Sequence, residues 1–220
     1  MTSEPLVSVI VPCFNGLPYV LEAVASIEAQ DYGHWELVVV DDGSTDGSAA
    51  AIRAACPRAV VHVEPHAGVG AARNRGIERA RGEVLAFLDA DDIARPHRLR
   101  LGLAALASGV DTVFGAIVQF QIGPGGLRRD RPPQPGVAAT GCMMTRDAAA
   151  RLGPFDESLR GGEFIEWWSR AAGARVTSVT VPEVIGDRRI HDRNMGRDPA
   201  SRLELLRAVR ASMARREGGA

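Results

Sequence analysis

Short apolar runs alternate with helical stretches along the first half of the chain. The first run, 6–11, is β-branched and too uniformly apolar for a sheet with one wet face, which favours a central strand. The strands predicted in this half are 6–11, 35–40, 60–63 and 84–88. The helices predicted between and after them are 18–30, 44–55, 68–81 and 96–107. This rhythm predicts an α/β fold with a parallel sheet.

The rhythm stops after residue 110. A long strand is predicted over 112–122, and the glycines, prolines and charges of 123–136 predict a mobile loop that serves as a hinge or lid. Further on, the pattern predicts helices over 143–152, 162–172 and 198–216, with a strand over 176–181. The second half is expected to complete the first within one domain spanning 1–220.

Composition narrows the classes of protein to which this chain could belong. The 220 residues are 45% hydrophobic, and 26 basic against 27 acidic side chains leave a net charge of −1. That balance argues against bulk capture of nucleic acid or of an anionic membrane. The sequence contains no lysine, which excludes Schiff-base chemistry and a P-loop lysine.

Cysteine spacing and hydropathy give indications of the cellular compartment. Cys13, Cys56 and Cys142 are far apart, which predicts reduced thiols in a cytoplasm and argues against a zinc site. Glu4 stands where a signal peptide would carry positive charge, and no apolar run is long enough to span a bilayer. We therefore expect a cytoplasmic protein without a transmembrane segment.

Polar residues cluster where three predicted strands end, at 12–15, 41–47 and 89–92. Ligands of open α/β sheets bind beyond the carboxyl ends of the strands, so these clusters are candidate binding residues. Asp41 and Asp42 are adjacent, and one of them must point toward the crevice, where it can accept a hydrogen bond from a nucleobase or ribose. Asp46 is interpreted as a helix N-cap.

The third cluster places Asp89, Asp91 and Asp92 within four positions. Like charges this close raise one another's pKa unless a cation neutralises them, and a carboxylate with phosphate oxygens suits Mg²⁺ or Mn²⁺. The other reading is a helix N-terminus, with Asp91 or Asp92 capping the helix near Pro96. The cluster alone fits both readings.

A G-x-G pattern at Gly68 and Gly70, with Asp89 about 20 residues on, partly matches a dinucleotide fingerprint. Arg73 replaces the third glycine and the preceding strand is not the first, so the match is weak. An NAD(P)-dependent oxidoreductase is therefore a minor alternative.

Four segments occur in a fixed order and spacing: VSVIVPCFN at 7–15, WELVVVDDGSTDG at 35–47, GAARNRG at 70–76 and FLDADD at 87–92. Together they closely resemble family 2 glycosyltransferases. The resemblance implies a GT-A fold with a mostly parallel central sheet flanked by helices. It also implies inverting transfer from a nucleotide-diphosphate sugar to an acceptor hydroxyl or other nucleophile. Residues up to about 110 would bind the donor, 111–197 would form the acceptor half, and 198–220 a C-terminal helix.

The resemblance assigns roles to individual positions. In its D-x-D motif, Asp89-Ala90-Asp91, Asp91 would ligate Mn²⁺ or Mg²⁺ while Asp89 faces the ribose or a metal-bound water. A late R-x-H-x-x-N segment implies that His191 reaches the metal or the diphosphate, and we expect Arg188 and Arg189 to close over the diphosphate. The positions implied to hold the nucleoside are Pro12, Phe14, Asn15, Asp42 and Arg73.

The segment GEFIEWWSR at 162–170 resembles the family's G-E-D-x-D-x-W-x-R helix. Phe164 stands where the family has its general base, an aspartate. Glu163 and Glu166 are the substitutes, because helical spacing puts both on one face with Trp167 and Arg170. Glu163 is the first choice, since Glu166 could instead pair with Arg170 at i+4.

Phe164 also motivates a rival function, a catalytically impaired protein that binds nucleotide sugars. The sequence leaves the sugar, the nucleobase and the acceptor open, and the acceptor could be a glycan, lipid, peptide or small molecule. A homodimer is compatible with the sequence.

Overall fold

A computed structural model describes residues 4–192 and 194. Its strands are β1 (Val7–Cys13), β2 (Trp35–Asp41), β3 (Val60–Val63), β4 (Val84–Phe87), β5 (Ile93–Ala94), β6 (Thr112–Ile122), β7 (Arg128–Asp130), β8 (Gln134–Pro135), β9 (Met143–Thr145) and β10 (Ser178–Arg189). Its α-helices are α1 (Tyr19–Glu28), α2 (Ser48–Ala55), α3 (Val69–Arg79), α4 (Arg98–Leu106), α5 (Arg146–Leu152) and α6 (Glu163–Trp168). The helix predicted over 198–216 lies outside the described residues.

All of these strands belong to one sheet, whose main path runs β3-β2-β1-β4-β9-β6-β10-β5. The first four strands of this path are parallel, and β6 and β10 are parallel to each other. β9 runs antiparallel to both of its neighbours, and β5 pairs antiparallel with β10 at the sheet edge. The carboxyl ends of β1, β2 and β4 therefore meet at the same edge.

Side chains alternate along the central strands, so each strand contributes to two hydrophobic cores, one on each face of the sheet. Val9 and Val11 belong to a cluster with Val24 and Ile27 of α1 on one face of the sheet. Ile10 points the other way, into a second cluster that includes residues of α5 and α6. Helices thus cover both faces, which is why β1 and β2 are buried along their whole length.

The prediction of a helix over 143–152 is wrong in its first three residues. Met143 and Met144 are 1% and 0% exposed because β9 fills the gap between β4 and β6. The helix begins only at Arg146, and the Thr145 side chain caps it by accepting from the Ala148 N–H. Long-range pairing overrides local helical preference here.

The segment 123–136, predicted as a mobile loop that serves as a hinge or lid, contains β7 and β8, which both pair antiparallel with β6. Arg128 donates to Asp187 of β10 at 2.8 Å and lies 4.1 Å over the Phe120 ring, so this hairpin is fastened to the sheet. The final strand, predicted over 176–181, extends to Arg189 because β10 follows β6 along most of its length.

Gly82, at the turn before β4, has no room for a side chain. A Cβ there would lie 2.5 Å from the Leu6 carbonyl oxygen and 2.7 Å from the Ser8 nitrogen, and backbone atoms cannot yield as a flexible side chain can. We expect Gly82→Ala to lower the free energy of unfolding by about 2 kcal/mol in chemical denaturation. Gly33→Ala is the control, because nothing lies within 4 Å of a Cβ there; equal stability of both variants would contradict the prediction.

Candidate active site

A cavity of about 700 Å³ opens where the carboxyl ends of β1, β2 and β4 meet α3 and α6. It brings together most of the residues that the sequence predicts for the site. The predicted site residues that line it are Pro12, Phe14, Asn15, Asp42, Arg73, Asp89, Ala90, Asp91, Glu163, Arg188 and His191. Asp41, Glu166 and Arg189 are not part of its lining.

Asp42 organises one end of the cavity. Its carboxylate accepts hydrogen bonds from the Ala67 and Gly68 N–H groups at 2.8 Å each, and His66 Nδ1 lies 2.8 Å from Asp42 Oδ2. Gly68 has φ +100°, which a residue with a side chain rarely adopts, so the glycine allows this turn. Gly68 and Gly70 serve the turn and the close packing of α3, where a Cβ on Gly70 would lie 3.0 Å from the Asp156 carbonyl oxygen.

Phe14 and His66 form an aromatic platform at the same end. Phe14 is 49% exposed, and its ring stacks on His66 with the centroids 4.2 Å apart. The sequence pattern gives no signal of this contact, because His66 lies in a connecting segment.

Asp41 turns away from the cavity. Its Oδ1 accepts from the Ser44 N–H at 2.7 Å, whereas its Oδ2 is buried without a hydrogen-bond partner in the described part of the chain. Of the two adjacent acids, it is therefore Asp42 that faces the crevice.

Cys13 also lines the cavity. Burial, reinforced by the nearby Asp41 carboxylate, raises the pKa of its thiol to about 11. The side chain therefore stays a protonated thiol at neutral pH and is not a nucleophile.

The acid cluster divides into partly buried and fully buried members. Asp91 lines the cavity, and its Oδ2 lies 2.9 Å from His191 Nε2 and 2.9 Å from Asn194 Nδ2. Burial, together with the charge of Asp89, raises the pKa of Asp91. The helix-cap reading of this cluster is wrong, because α4 begins at Arg98 with His97 as its N-cap.

Asp92, which the sequence analysis did not assign to the site, is 1% exposed. It accepts hydrogen bonds from the Thr140 hydroxyl and from the Arg189 N–H, the latter at 2.9 Å. Burial and the charges of Asp91 and Asp89 raise its pKa well above the usual range. Asp92 thus joins the acid motif to the end of β10.

The donors on this wall suit a divalent cation by their chemistry. Asp89 and Asp91 offer carboxylate oxygens and His191 offers an imidazole nitrogen, a set compatible with Mn²⁺, while the carboxylates with phosphate oxygens are compatible with Mg²⁺. The described residues include no group of three or more acidic, histidine or cysteine side chains already gathered around one point.

Arg189 is buried next to the cavity wall and does not line the cavity. It is 4% exposed, its guanidinium lies 4.5 Å from the Tyr19 ring centroid, and its Nη2 donates to Glu22 at 2.7 Å. Its Nε also donates to the Asp91 carbonyl at 3.1 Å. Arg188, by contrast, is exposed and lines the cavity, so of the two arginines it is the one that can reach a ligand.

Helix α6 separates the two candidate bases. Glu163 is 5% exposed and lines the cavity. Glu166 lies outside the lining and is held by two hydrogen bonds from Arg170, as the alternative of an i+4 pair predicted. Glu163, Glu166 and Trp167 do not all face the cavity, because Trp167 is fully buried and stacks on Phe155 at 4.2 Å.

Phe164 belongs to the core. It is 6% exposed, lies within 6.5 Å, centroid to centroid, of Phe87, Phe114 and Phe155, and contributes one edge to the cavity. Aromatic packing therefore accounts for the phenylalanine at this position.

The family profile of glycosyl transferase family 2 matches residues 8–162, more than half of the chain. The chain belongs to this family. Glycosyltransferase AglE of Haloferax volcanii is 32% identical over 207 residues, which is 84% of this chain and 68% of that protein. The putative teichuronic acid biosynthesis glycosyltransferase TuaG of Bacillus subtilis is 43% identical over 100 residues, but the match covers 44% of this chain and 40% of that relative.

Solved structures agree on the fold. Residues 1–349 of S. aureus TarS, in complex with UDP-GlcNAc, match with a TM-score of 0.74 at 21% identity, over 95% of this chain and 66% of that chain. The mannosyltransferase PcManGT of Pyrobaculum calidifontis, in complex with GDP-Man and Mn²⁺, matches with a TM-score of 0.72 at 24% identity, over 97% of this chain and 64% of that chain. The chain therefore has the GT-A fold predicted from its motifs.

Within the described residues, no helix has the length and apolar character that crossing a membrane requires. The three cysteines are buried and unpaired.

The packing of Phe164 yields a stability prediction. Phe164→Asp would leave a cavity and bury a charge, so we expect the free energy of unfolding to fall by about 3 kcal/mol or more. Phe164→Leu keeps an apolar side chain and should cost about 1–2 kcal/mol. Chemical denaturation followed by circular dichroism measures both. An aspartate variant as stable as the wild type would mean that residue 164 does not belong to the core.

Proposed function

We propose that this chain transfers a sugar, with inversion, from a nucleotide-diphosphate sugar to an acceptor nucleophile, and that it requires a divalent cation. The observation that carries the proposal is the single cavity in which Asp42, the Asp89–Asp91 motif and Glu163 meet. Family membership supports glycosyl transfer, and the nucleotide sugars bound in the TarS and PcManGT structures support the donor class. Each alignment leaves about a third or more of the TarS, PcManGT, AglE or TuaG chain unmatched, so acceptor and full activity belong to this proposal.

The nucleoside would bind at the end formed by Pro12, Phe14, Asn15 and Asp42. The half-exposed ring of Phe14 offers an aromatic face for a base to stack on. Asp42 keeps acceptor capacity for a base N–H, because a carboxylate has about four lone-pair sites and the described N–H groups occupy fewer.

The diphosphate would lie along the acid motif. Asp91, with Asp89 and His191, would hold Mn²⁺ or Mg²⁺, which when bound supplies positive charge to the leaving diphosphate. The Mn²⁺ bound by PcManGT supports this choice of ion. Arg188, exposed on the cavity wall, adds a positively charged guanidinium on the same side.

Glu163 would act as the general base. Its Oε1 contacts Arg73, while Oε2 accepts no hydrogen bond from the described residues and is the oxygen left to take a proton. The acceptor oxygen loses its proton to Glu163 and bonds to the anomeric carbon. The bond from that carbon to the diphosphate oxygen breaks on the opposite face, so the configuration inverts.

The impaired-binder alternative is motivated by Phe164, which cannot accept a proton. Donor hydrolysis or transfer, measured with Mn²⁺ present, separates this alternative from the enzyme. The family assignment and the packing role of Gly70 account for the glycine pattern, which was the basis of the oxidoreductase alternative.

We expect Asp91→Asn to weaken Mn²⁺-dependent nucleoside-diphosphate binding by at least about tenfold, because it removes a charged oxygen ligand. Titration calorimetry with and without Mn²⁺ measures the effect. Asp147→Asn is the matched control, since Asp147 is exposed on α5 and remote from the cavity. Unchanged affinity in Asp91→Asn would remove this residue from the cation site.

We expect Glu163→Gln to lower kcat by about 10²-fold, the usual scale for loss of a general base, with nucleotide affinity near that of the wild type. Glu166→Gln should cost far less, because Arg170 holds Glu166 outside the cavity. Steady-state kinetics with a matched donor and acceptor compare the two. Greater loss in Glu166→Gln would reverse the roles, and two active variants would leave neither residue as the base.

A further inference from the structure

Arg73 of α3 joins two carboxylates that come from distant parts of the chain. Its Nη2 donates to Asp89 Oδ1 at 2.7 Å, and its Nη1 donates to Glu163 Oε1. One partner belongs to the motif proposed to face the donor, and the other is the proposed base. The guanidinium therefore bridges the donor side and the acceptor side of the cavity.

The surroundings of Arg73 restrict it to this bridge. The residue is 2% exposed, its guanidinium lies 5.7 Å from the Phe155 ring centroid, and its Nε is buried without a described partner. Each amino group already donates to a carboxylate, and with 2% of the residue exposed the guanidinium presents little surface to a nucleoside. Removing a partner from a buried ion pair leaves an uncompensated buried charge.

The helix that carries Arg73 is itself tightly placed. Asn74 donates to the Phe155 carbonyl at 3.0 Å and accepts from the Phe155 N–H at 2.7 Å. Gly76 lies against Ile10 so closely that a Cβ would overlap its side chain. The guanidinium thus projects from a fixed backbone, which suits a positioning role.

We propose that Arg73 is a positioning residue that holds the Glu163 carboxylate at a fixed place relative to Asp89, and that it is not a ligand of the nucleoside. This inference rests on the proposed function of Glu163. A planar guanidinium can hold two carboxylates at defined angles, whereas a lysine ammonium is a point charge on a flexible stem. By occupying Oε1, Arg73 leaves Oε2 for the acceptor proton.

The two roles of Arg73 predict different kinetics. A nucleoside ligand contributes to donor binding, so its loss raises the dissociation constant of the nucleotide. A positioning residue acts on the base, so its loss lowers kcat while nucleotide affinity stays near that of the wild type. Misplacing a reacting group by about 1 Å can cost about 10²-fold in rate.

Arg73→Lys tests the proposal, because it keeps the positive charge but loses the planar guanidinium that can hold two carboxylates at once. We expect kcat to fall by about 10²-fold and the calorimetric dissociation constant for the nucleoside diphosphate with Mn²⁺ to change by less than about threefold. Arg79→Lys on the same helix is the control, since Arg79 pairs with Glu64 outside the cavity. A dissociation constant raised tenfold or more with kcat unchanged would overturn the proposal in favour of nucleoside binding.

The double variant Arg73→Lys/Glu163→Gln tests the coupling. If Arg73 acts through Glu163, adding Arg73→Lys to Glu163→Gln should cost less than about threefold further in kcat, because residues acting as a unit are not additive. Losses that multiply independently would overturn the proposal. Circular dichroism and thermal melts of every variant identify any that fail to fold.

Hydrogen exchange separates failure of this inference from failure of the proposed function. Arg73→Lys should speed exchange over 163–168, because α6 loses its tie to α3, and Arg79→Lys should not. If the wild type turns over no donor, the proposed function fails while the exchange and calorimetry still test the bridge. Unchanged exchange over 163–168 in a folded Arg73→Lys variant would overturn it.

Discussion

The site depends on the parallel pairing of β1 with β2 on one side and with β4 on the other. Parallel strands end at the same edge of a sheet, and this edge collects Phe14 and Asn15, Asp42, and the Asp89–Asp91 motif from three separate connections. Because both faces of these strands are covered by helices, their register is held by burial as well as by hydrogen bonds.

The second half of the chain completes the site by returning to this edge. β10 runs parallel to β6, and its end carries Arg188 and His191 to the cavity. Asp92 secures that return, because its buried carboxyl accepts from the Arg189 N–H and the Thr140 hydroxyl. A carboxyl without these hydrogen bonds would be costly to bury, so the acid cluster has a structural member beside its two partly exposed ones.

Charge is distributed in the site according to exposure. Asp89 and Asp91 stay partly open to the cavity, where a cation and phosphates would meet them, while Arg73 compensates Asp89 and Glu163 from a buried position. Phe164 and Trp167 fill the remainder of the α6 surface with aromatic packing. Phe164 thus belongs to the core, and Glu163 is the acid of α6 that lines the cavity.

The sequence by itself determined the family and the β–α order of the first half, and most of the site residues predicted from it line the cavity. Strand-end motifs such as Asp89-Ala90-Asp91 are local in sequence, and parallel pairing necessarily brings them together. Only the tertiary structure decided that Met143–Thr145 is a strand and that Asp41 turns away from the cavity. It also decided that Glu163 lines the cavity while Glu166 does not. Those outcomes depend on partners distant in the chain: β4 and β6 for β9, the packing of Trp167 against Phe155 for α6, and Arg73 for Glu163. Local spacing carries no information about such partners.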